Sequence, residues 1–251
     1  MANSHAINPM TTAVRSITGE DGQAWLNLDD LLHWQEAGPQ ANDALLSGLQ
    51  TYKAVPASDT NAEMAEYQDS LASYLKSVSA TRWAREMTAP SAAVILDTET
   101  TGLGDRRRKP RVIQVAVIDA HTGHTLLDTL VNPGADAEIE PGASAVHGLT
   151  MDKLTGAPSW GEVLPQVLTV TEGRKTLAYR AKYDRRAVTD DSTRCDLDPM
   201  HLADEATWGC LMQRRSDWLR IADQLALAGD HSALGDCQAA RALLLDMTQL
   251  R

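Results

Sequence analysis

The run Ala92-Ala-Val-Ile-Leu96 leads directly into Asp97-Thr-Glu99-Thr-Thr-Gly102, and this junction constrains the fold more than any other stretch of the chain. Five consecutive apolar residues, Val, Ile and Leu among them, read as a short strand buried on both faces of a sheet. Residues i and i+2 of a strand project to the same side, so Asp97 and Glu99 face one spot. Two carboxylates held together repel unless cations neutralise them, and hard oxygen donors suit Mg2+ or Mn2+. Taken alone, the same residues read equally as a strand running out into an acidic turn.

The pattern after this strand alternates. Residues 111–119 read as a second strand, and His121-Thr-Gly-His124 as a turn into a third over 125–131. Helical spacing follows at 159–171, a fourth strand at 176–179, a helix at 181–189, a short fifth strand near 206–209 and a long helix from about 232 to 250. The segment before Pro90 has another character. It opens on a hairpin, 13–18 and 23–28 around Gly19-Glu-Asp-Gly22, continues with short helices near 31–34 and 44–49, and ends in an amphipathic helix over 62–87. The expected organisation is therefore a small, mostly helical α+β accessory region, 1–90, followed by an α/β domain, 91–251.

Composition limits the function classes. No apolar stretch approaches the roughly 20 residues of a membrane helix, and the N-terminus lacks a basic end leading into an apolar run, so a cytoplasmic protein without membrane contact is expected. The cysteines, Cys195, Cys210 and Cys237, are odd in number and form no C-x-x-C, which suggests neither a disulfide framework nor a zinc ribbon. The 23 Lys and Arg against 34 Asp and Glu give a net charge of −11, which on its face argues against nucleic acid as a partner.

Two more acidic clusters alter that reading. Asp184, in Tyr183-Asp-Arg-Arg186, falls in the first turn of the helix after the fourth strand. Asp236, in His231-Ser-Ala-Leu-Gly-Asp236, falls in the first turns of the last helix, with His231 at its start. Each alone is more often a solvated charge or a cap.

Together these residues resemble the signature of the DnaQ-like, or DEDDh, 3′→5′ exonucleases. Asp97-Thr-Glu99-Thr-Thr-Gly-Leu103 corresponds to the first motif, Tyr183-Asp184-Arg-Arg to the second, and His231 to Asp236 to the third; Ser144-Ala-Val-His-Gly-Leu-Thr150 resembles a loop of the family. The resemblance covers about residues 91–250. It implies a ribonuclease-H-like α/β fold, a five-stranded mixed sheet of three antiparallel and two parallel strands flanked by helices. It also implies phosphodiester hydrolysis at nucleic-acid 3′ ends, single-stranded or frayed, with release of nucleoside 5′-monophosphates. Two divalent cations would sit about 3.5–4 Å apart. Asp97 would join both, Glu99 and Asp236 would hold the one nearer the attacking water, Asp184 would help position the other, and His231 would be the general base.

Thr100, Gly102 and Leu103 would form the pocket for the terminal nucleotide, with Val146 and His147 as floor and sugar contacts. The family commonly has Asn and Phe where Arg180 and Tyr183 stand here, and Arg180 adds a charge able to reach a phosphate. The run Arg106, Arg107, Arg108 and Lys109 lies on the loop between the first two strands, where it reads as a phosphate contact or as a solvated turn. The segment 213–230 looks like a short rim that leaves the cleft open. Two other readings are a catalytically weak nucleic-acid or partner-binding module on the same fold, and an oligoribonuclease-like RNA trimmer. With four acids assigned to metal, the domain no longer reads as repelling nucleic acid; residues 1–90, with 5 Lys and Arg against 11 Asp and Glu, point instead to protein contact or self-association.

Overall fold

The computed structural model describes residues 16–18, 24–26, 62–104 and 109–250. The chain divides into two compact units, Met1–Ser79 and Ala80–Arg251. In the first, β1 (Ser16–Thr18) and β2 (Ala24–Leu26) pair antiparallel with Ile17 opposite Trp25, as the turn residues between them predict. The helices expected at 31–34 and 44–49 lie outside the described residues. Helix α1 (Ala62–Met87) forms over the length its apolar spacing predicts.

The second unit is built on one sheet. Strands β3 (Ala93–Thr100), β4 (Val112–Asp119), β5 (Thr125–Leu130), β6 (Lys175–Ala178) and β7 (Trp208–Cys210) lie in the order β5-β4-β3-β6-β7. β4 and β5 run antiparallel to their neighbours, while β6 and β7 join β3 in parallel. This is the five-stranded mixed sheet implied by the resemblance.

Strand alternation sorts the core into two layers. On one face Ala93, Ile95, Ala116, Ile118 and Leu177 pack against α7 (Ala233–Asp246), α6 (Leu211–Leu219) and Ala80 and Ala84 of α1. On the other, Val94, Leu96, Val115 and Val117 meet Trp160, Val163 and Val167 of α4 (Trp160–Thr171) and Ala187 and Val188 of α5 (Ala181–Arg194). Ile95 and Leu96 are completely buried on opposite faces. A side chain of that size, so buried, stabilises the fold by about 1.5–3 kcal/mol.

Several boundaries differ from the sequence pattern. β3 continues four residues past Leu96, because Asp97 through Thr100 pair with β4 before a bulge between Glu99 and Thr100. The acids therefore sit on a strand, not in an acidic turn. Residues 144–150, read as loop, lie partly in α2 (Pro141–His147), started by Pro141 at a first-turn position and stopped by Gly148 at φ 70°. A one-turn helix, α3 (Met151–Leu154), follows it. Helix α5 runs to Arg194, beyond the expected end at 189, with Asp191 buried: its carboxylate accepts the Val112 N–H at 3.0 Å and the Arg194 Nε–H at 2.6 Å. Helix α6 was hidden in a stretch too polar to show a clear stripe, and α7 stops at Asp246 rather than Leu250. Among the described residues no helix is long and apolar enough to cross a membrane.

Candidate active site

The alternation of β3 also partitions the acids. Asp97 and Glu99 fall on the face covered by α7, and there Asp236, in the first turn of α7, joins them. One carboxylate oxygen from each of these three residues lies within 4.8 Å of the others. Thr98 points the opposite way and meets Asp184 of α5: Asp184 Oδ1 accepts the Thr98 N–H at 3.1 Å and the Thr98 hydroxyl at 2.9 Å. Asp184 thus approaches the group from the other side of the sheet. Thr98 escaped sequence reasoning, although its place between two acids on a strand assigns it to the opposite face.

Crowding governs the electrostatics. Burial pushes the Asp97 carboxyl well above the usual carboxylate range, and the nearby Asp184, Glu99 and Asp236 push it further. Glu99 is raised to about 8 by burial and by Asp236 and Asp184. Burial raises Asp184 to about 7 although the two Thr98 bonds and Arg180 oppose it. Asp236 is also raised by burial, against the bond it accepts from His231. Carboxyls in this state are held together at a cost that a divalent cation relieves, and an all-oxygen donor set fits a hard ion such as Mg2+ or Mn2+.

His231 stands at the mouth of this group. It is exposed, its φ of 61° lies in the left-handed region, and its N–H donates to Asp236 Oδ1 at 3.2 Å. Ser232 caps α7 by accepting the Gly235 N–H. Gly229 packs so closely on Asp236 that a Cβ there would overlap the carboxylate. The geometry of the turn is thereby tied to the position of one acid.

All five signature residues open into one cleft of about 740 Å³. Its rim is apolar where a base would rest: Leu103 is 76% exposed and Val146 54%. The Thr100 and Tyr183 hydroxyls lie 2.7 and 3.0 Å from the Gly102 carbonyl and 2.5 Å from each other, sharing their two hydrogens within this group, so the loop after β3 is fastened to α5. The Glu140 carboxylate occupies the space a side chain at Gly102 would need. His147 Nδ1 accepts the Leu149 N–H, which leaves Nε2 as the protonated nitrogen, and that buried atom has no hydrogen-bond partner among the described residues. Burial lowers the His147 pKa, against a weaker opposing contribution from the Thr100 backbone.

The far wall of the cleft is formed by the short segment expected there as a rim. After α6 the segment 220–230 folds along the cleft, where Gln224, Leu225, Ala226 and Leu227 line it. The Tyr179 hydroxyl donates to the Leu225 carbonyl at 2.5 Å, and Arg215 Nη1 reaches both Tyr179 Oη and the Ala226 carbonyl at 3.0 Å. Arg180 is exposed and lines the cleft beside Asp184. Arg106, Arg107 and Arg108 lie outside the described residues. Of the cations flanking them, Lys109 pairs with Asp190 at 2.6 Å and Arg111 with Asp136 at 2.6 Å.

Comparison with known proteins fits this arrangement. The RNase_T family, described as exonuclease, matches residues 94–244, from the first buried strand to the last helix. The chain belongs to this family. As an RNase_T domain it is similar to an uncharacterized exonuclease, CP81, of Escherichia phage 186, with 34% identity over 95 residues covering 38% of this chain and 46% of the relative. It is also similar to the DNA polymerase III subunit epsilon of Haemophilus influenzae, with 30% identity over 105 residues covering 39% of this chain and 40% of the relative. The chain spans less than half the length of these curated relatives. Among solved structures, the zinc-bound E. coli ExoI–ssDNA complex superposes with a TM-score of 0.51 at 19% identity, covering 63% of this chain and 41% of the other. The RNase_T domain is thus a DnaQ-like exonuclease domain with the ribonuclease-H-like fold.

Proposed function

We propose that the protein is a metal-dependent 3′→5′ exonuclease that removes nucleoside 5′-monophosphates from single-stranded or frayed 3′ ends. The observation that carries this is the convergence of Asp97, Glu99 and Asp236 within 4.8 Å, with Asp184 held behind them by Thr98. Asp97, Glu99 and Asp236 would hold a divalent cation, and Asp184 with Asp97 a second. Bound there, such ions supply charge neutralisation for the attacked phosphate and the leaving oxygen, worth several kcal/mol of barrier.

The chain's own residues do the rest. His231, exposed beside Asp236, accepts the proton of the attacking water. The new P–O bond forms as the bond to the 3′ oxygen of the preceding nucleotide breaks. That oxygen leaves with a proton, and the terminal nucleotide departs as a 5′-monophosphate. Leu103 and Val146 offer apolar faces to the terminal base, and His147 lines the same pocket as a contact for its sugar. Glu140, pressed on Gly102, closes the pocket behind them.

The test is digestion of 5′-labelled single-stranded DNA and RNA with Mg2+ or Mn2+. Single-stranded DNA comes first, being the ligand named for the ExoI complex. Stepwise shortening from the 3′ end, abolished in Asp97→Ala, is the expected result. Intact substrate under every condition would sink the proposal, and shortening of short RNA alone would favour the oligoribonuclease-like reading.

A further inference from the structure

A second groove, of about 850 Å³, adjoins the cleft and shares Arg180, Tyr183, Met212 and Gln224 with it. Its lining is unlike the rest of this acidic chain: six cations, Lys175, Arg180, Lys182, Arg185, Arg186 and Arg214, face two acids, Glu205 and Asp217. Glu205 is already paired with Arg185 at 2.9 Å. Lys182 and Arg180 are exposed, Arg180 beside the Asp184 carboxylate, and Arg186 is paired with Asp190 at 3.3 Å along the outer face of α5. The wall carries an aromatic platform, since the Arg214 guanidinium lies 5.4 Å over the Trp83 ring. Gly209 on β7 makes that platform possible, because a Cβ there would stand 3.0 Å from Trp83 Cζ2 and 2.7 Å from Leu177 Cδ2.

Concentrated positive charge beside a stacking surface is the chemistry of single-stranded nucleic acid: cations track phosphates, and an indole or guanidinium plane accepts a base of any identity. The geometry points to this groove as the track for the strand upstream of the 3′ end, with Lys182 and Arg186 on its phosphates and the Arg214–Trp83 pair stacking a base. An RNase_T chain with a net charge of −11 thereby carries, among its described residues, a concentrated basic path leading to the cleft. The inference rests on the exonuclease reading for its direction, from the groove to the carboxylates.

Binding is read without turnover in full-length Asp97→Ala protein, by anisotropy of a dye-labelled twelve-nucleotide oligothymidylate and of a labelled dinucleotide. Adding Lys182→Glu with Arg186→Glu should weaken binding of the longer strand at least about tenfold and flatten the slope of log affinity against log salt by about 1.4, two single-strand phosphate contacts. Arg214→Gln, which leaves Trp83 in place, should weaken the long strand alone. The advantage of the long strand over the dinucleotide should collapse in both variants. If affinity, salt slope and length dependence all survive in variants with the parent's melting temperature, the groove is not the track. Groove-dependent binding by a protein that never cleaves would overturn the exonuclease reading and leave the track standing; cleavage with a groove of no effect would do the reverse.

Discussion

Asp184 Oδ1 accepts two hydrogen bonds from one residue, Thr98, through its backbone N–H and its hydroxyl. The bonds fix a buried carboxylate of α5 against the strand that carries Asp97 and Glu99. Thr98→Val keeps the shape and deletes one of them. We expect a loss of about 1–3 kcal/mol in stability, the cost of leaving a buried acceptor short of a donor, and weaker divalent-cation activation of cleavage. Denaturant titration and a Mn2+ activation curve measure the two separately. Unchanged values in both would mean that Thr98 does not position Asp184.

The clustered carboxylates make the cation a source of stability. Asp97→Asn removes one ionisable carboxyl, and with it the cost of either charging it beside the other acids or holding it protonated, so the metal-free variant should melt above the parent, by about 2–4 °C for a relief of about 1 kcal/mol. Saturating Mg2+ or Mn2+ should raise the parent's melting temperature and leave the variant's nearly still. A variant that melts lower without metal would contradict the repulsion argument.

His231 stands in an unfavourable backbone conformation. At φ 61° a non-glycine residue is strained by about 1 kcal/mol or more. His231→Gly should therefore equal or exceed the parent in stability while cleavage slows by about 10²–10⁴-fold, the usual worth of a general base. His231→Ala should lose the same activity and also melt lower than His231→Gly. Full activity in His231→Gly would remove this residue from the mechanism.

The Tyr179 hydroxyl is one of the ties that hold the wall over 220–230, together with Arg215 on the Ala226 carbonyl and Ser216 on the Asp223 carbonyl. Tyr179→Phe breaks the bond to the Leu225 carbonyl and leaves Arg215 with one fewer acceptor. Faster proteolytic nicking within 220–230 and a KM several-fold higher than the parent's should result, with a smaller change in kcat. An unchanged nicking rate would show that the segment is held by other means.

Asp119 provides an acid-dependent contribution far from the cleft. Burial works to raise its pKa, but the N–H and hydroxyl of Thr122 and the Arg174 guanidinium hold it below 3.8. A carboxyl lowered in the folded state stabilises above its unfolded pKa, and that stability is lost as pH falls through the folded value. Asp119→Asn should cost about 1.5–3 kcal/mol at neutral pH, and the gap to the parent should narrow below pH 3.8. A constant gap from neutral pH to pH 2 would contradict the assignment.

The residues carrying the sheet were legible because burial on both faces leaves apolar runs, continuous at 92–96 and broken only by Gln114 at 112–118. The acids were legible through strand periodicity and motif spacing. What stayed hidden depends on long-range partners. Nothing local in a polar helix marks Asp191 as an anchor for the Val112 N–H. Nor does Tyr179 announce a bond to Leu225, 46 residues away. Helix α6 was missed because its stripe is thin, with only Leu211 and Trp218 buried. The basic track was invisible for a simpler reason: its cations come from β6, α5 and α6, and only folding brings them together beside Trp83.

Asp236 and His231 belong to the segment that closes the sheet from behind, and every other acid of the site precedes them in the chain. A ribosome therefore releases β3, β4 and α5 as an incomplete set, with Asp97 and Glu99 still lacking the third carboxylate of their group, and the cluster assembles only once α7 has left the ribosome and docked on the sheet.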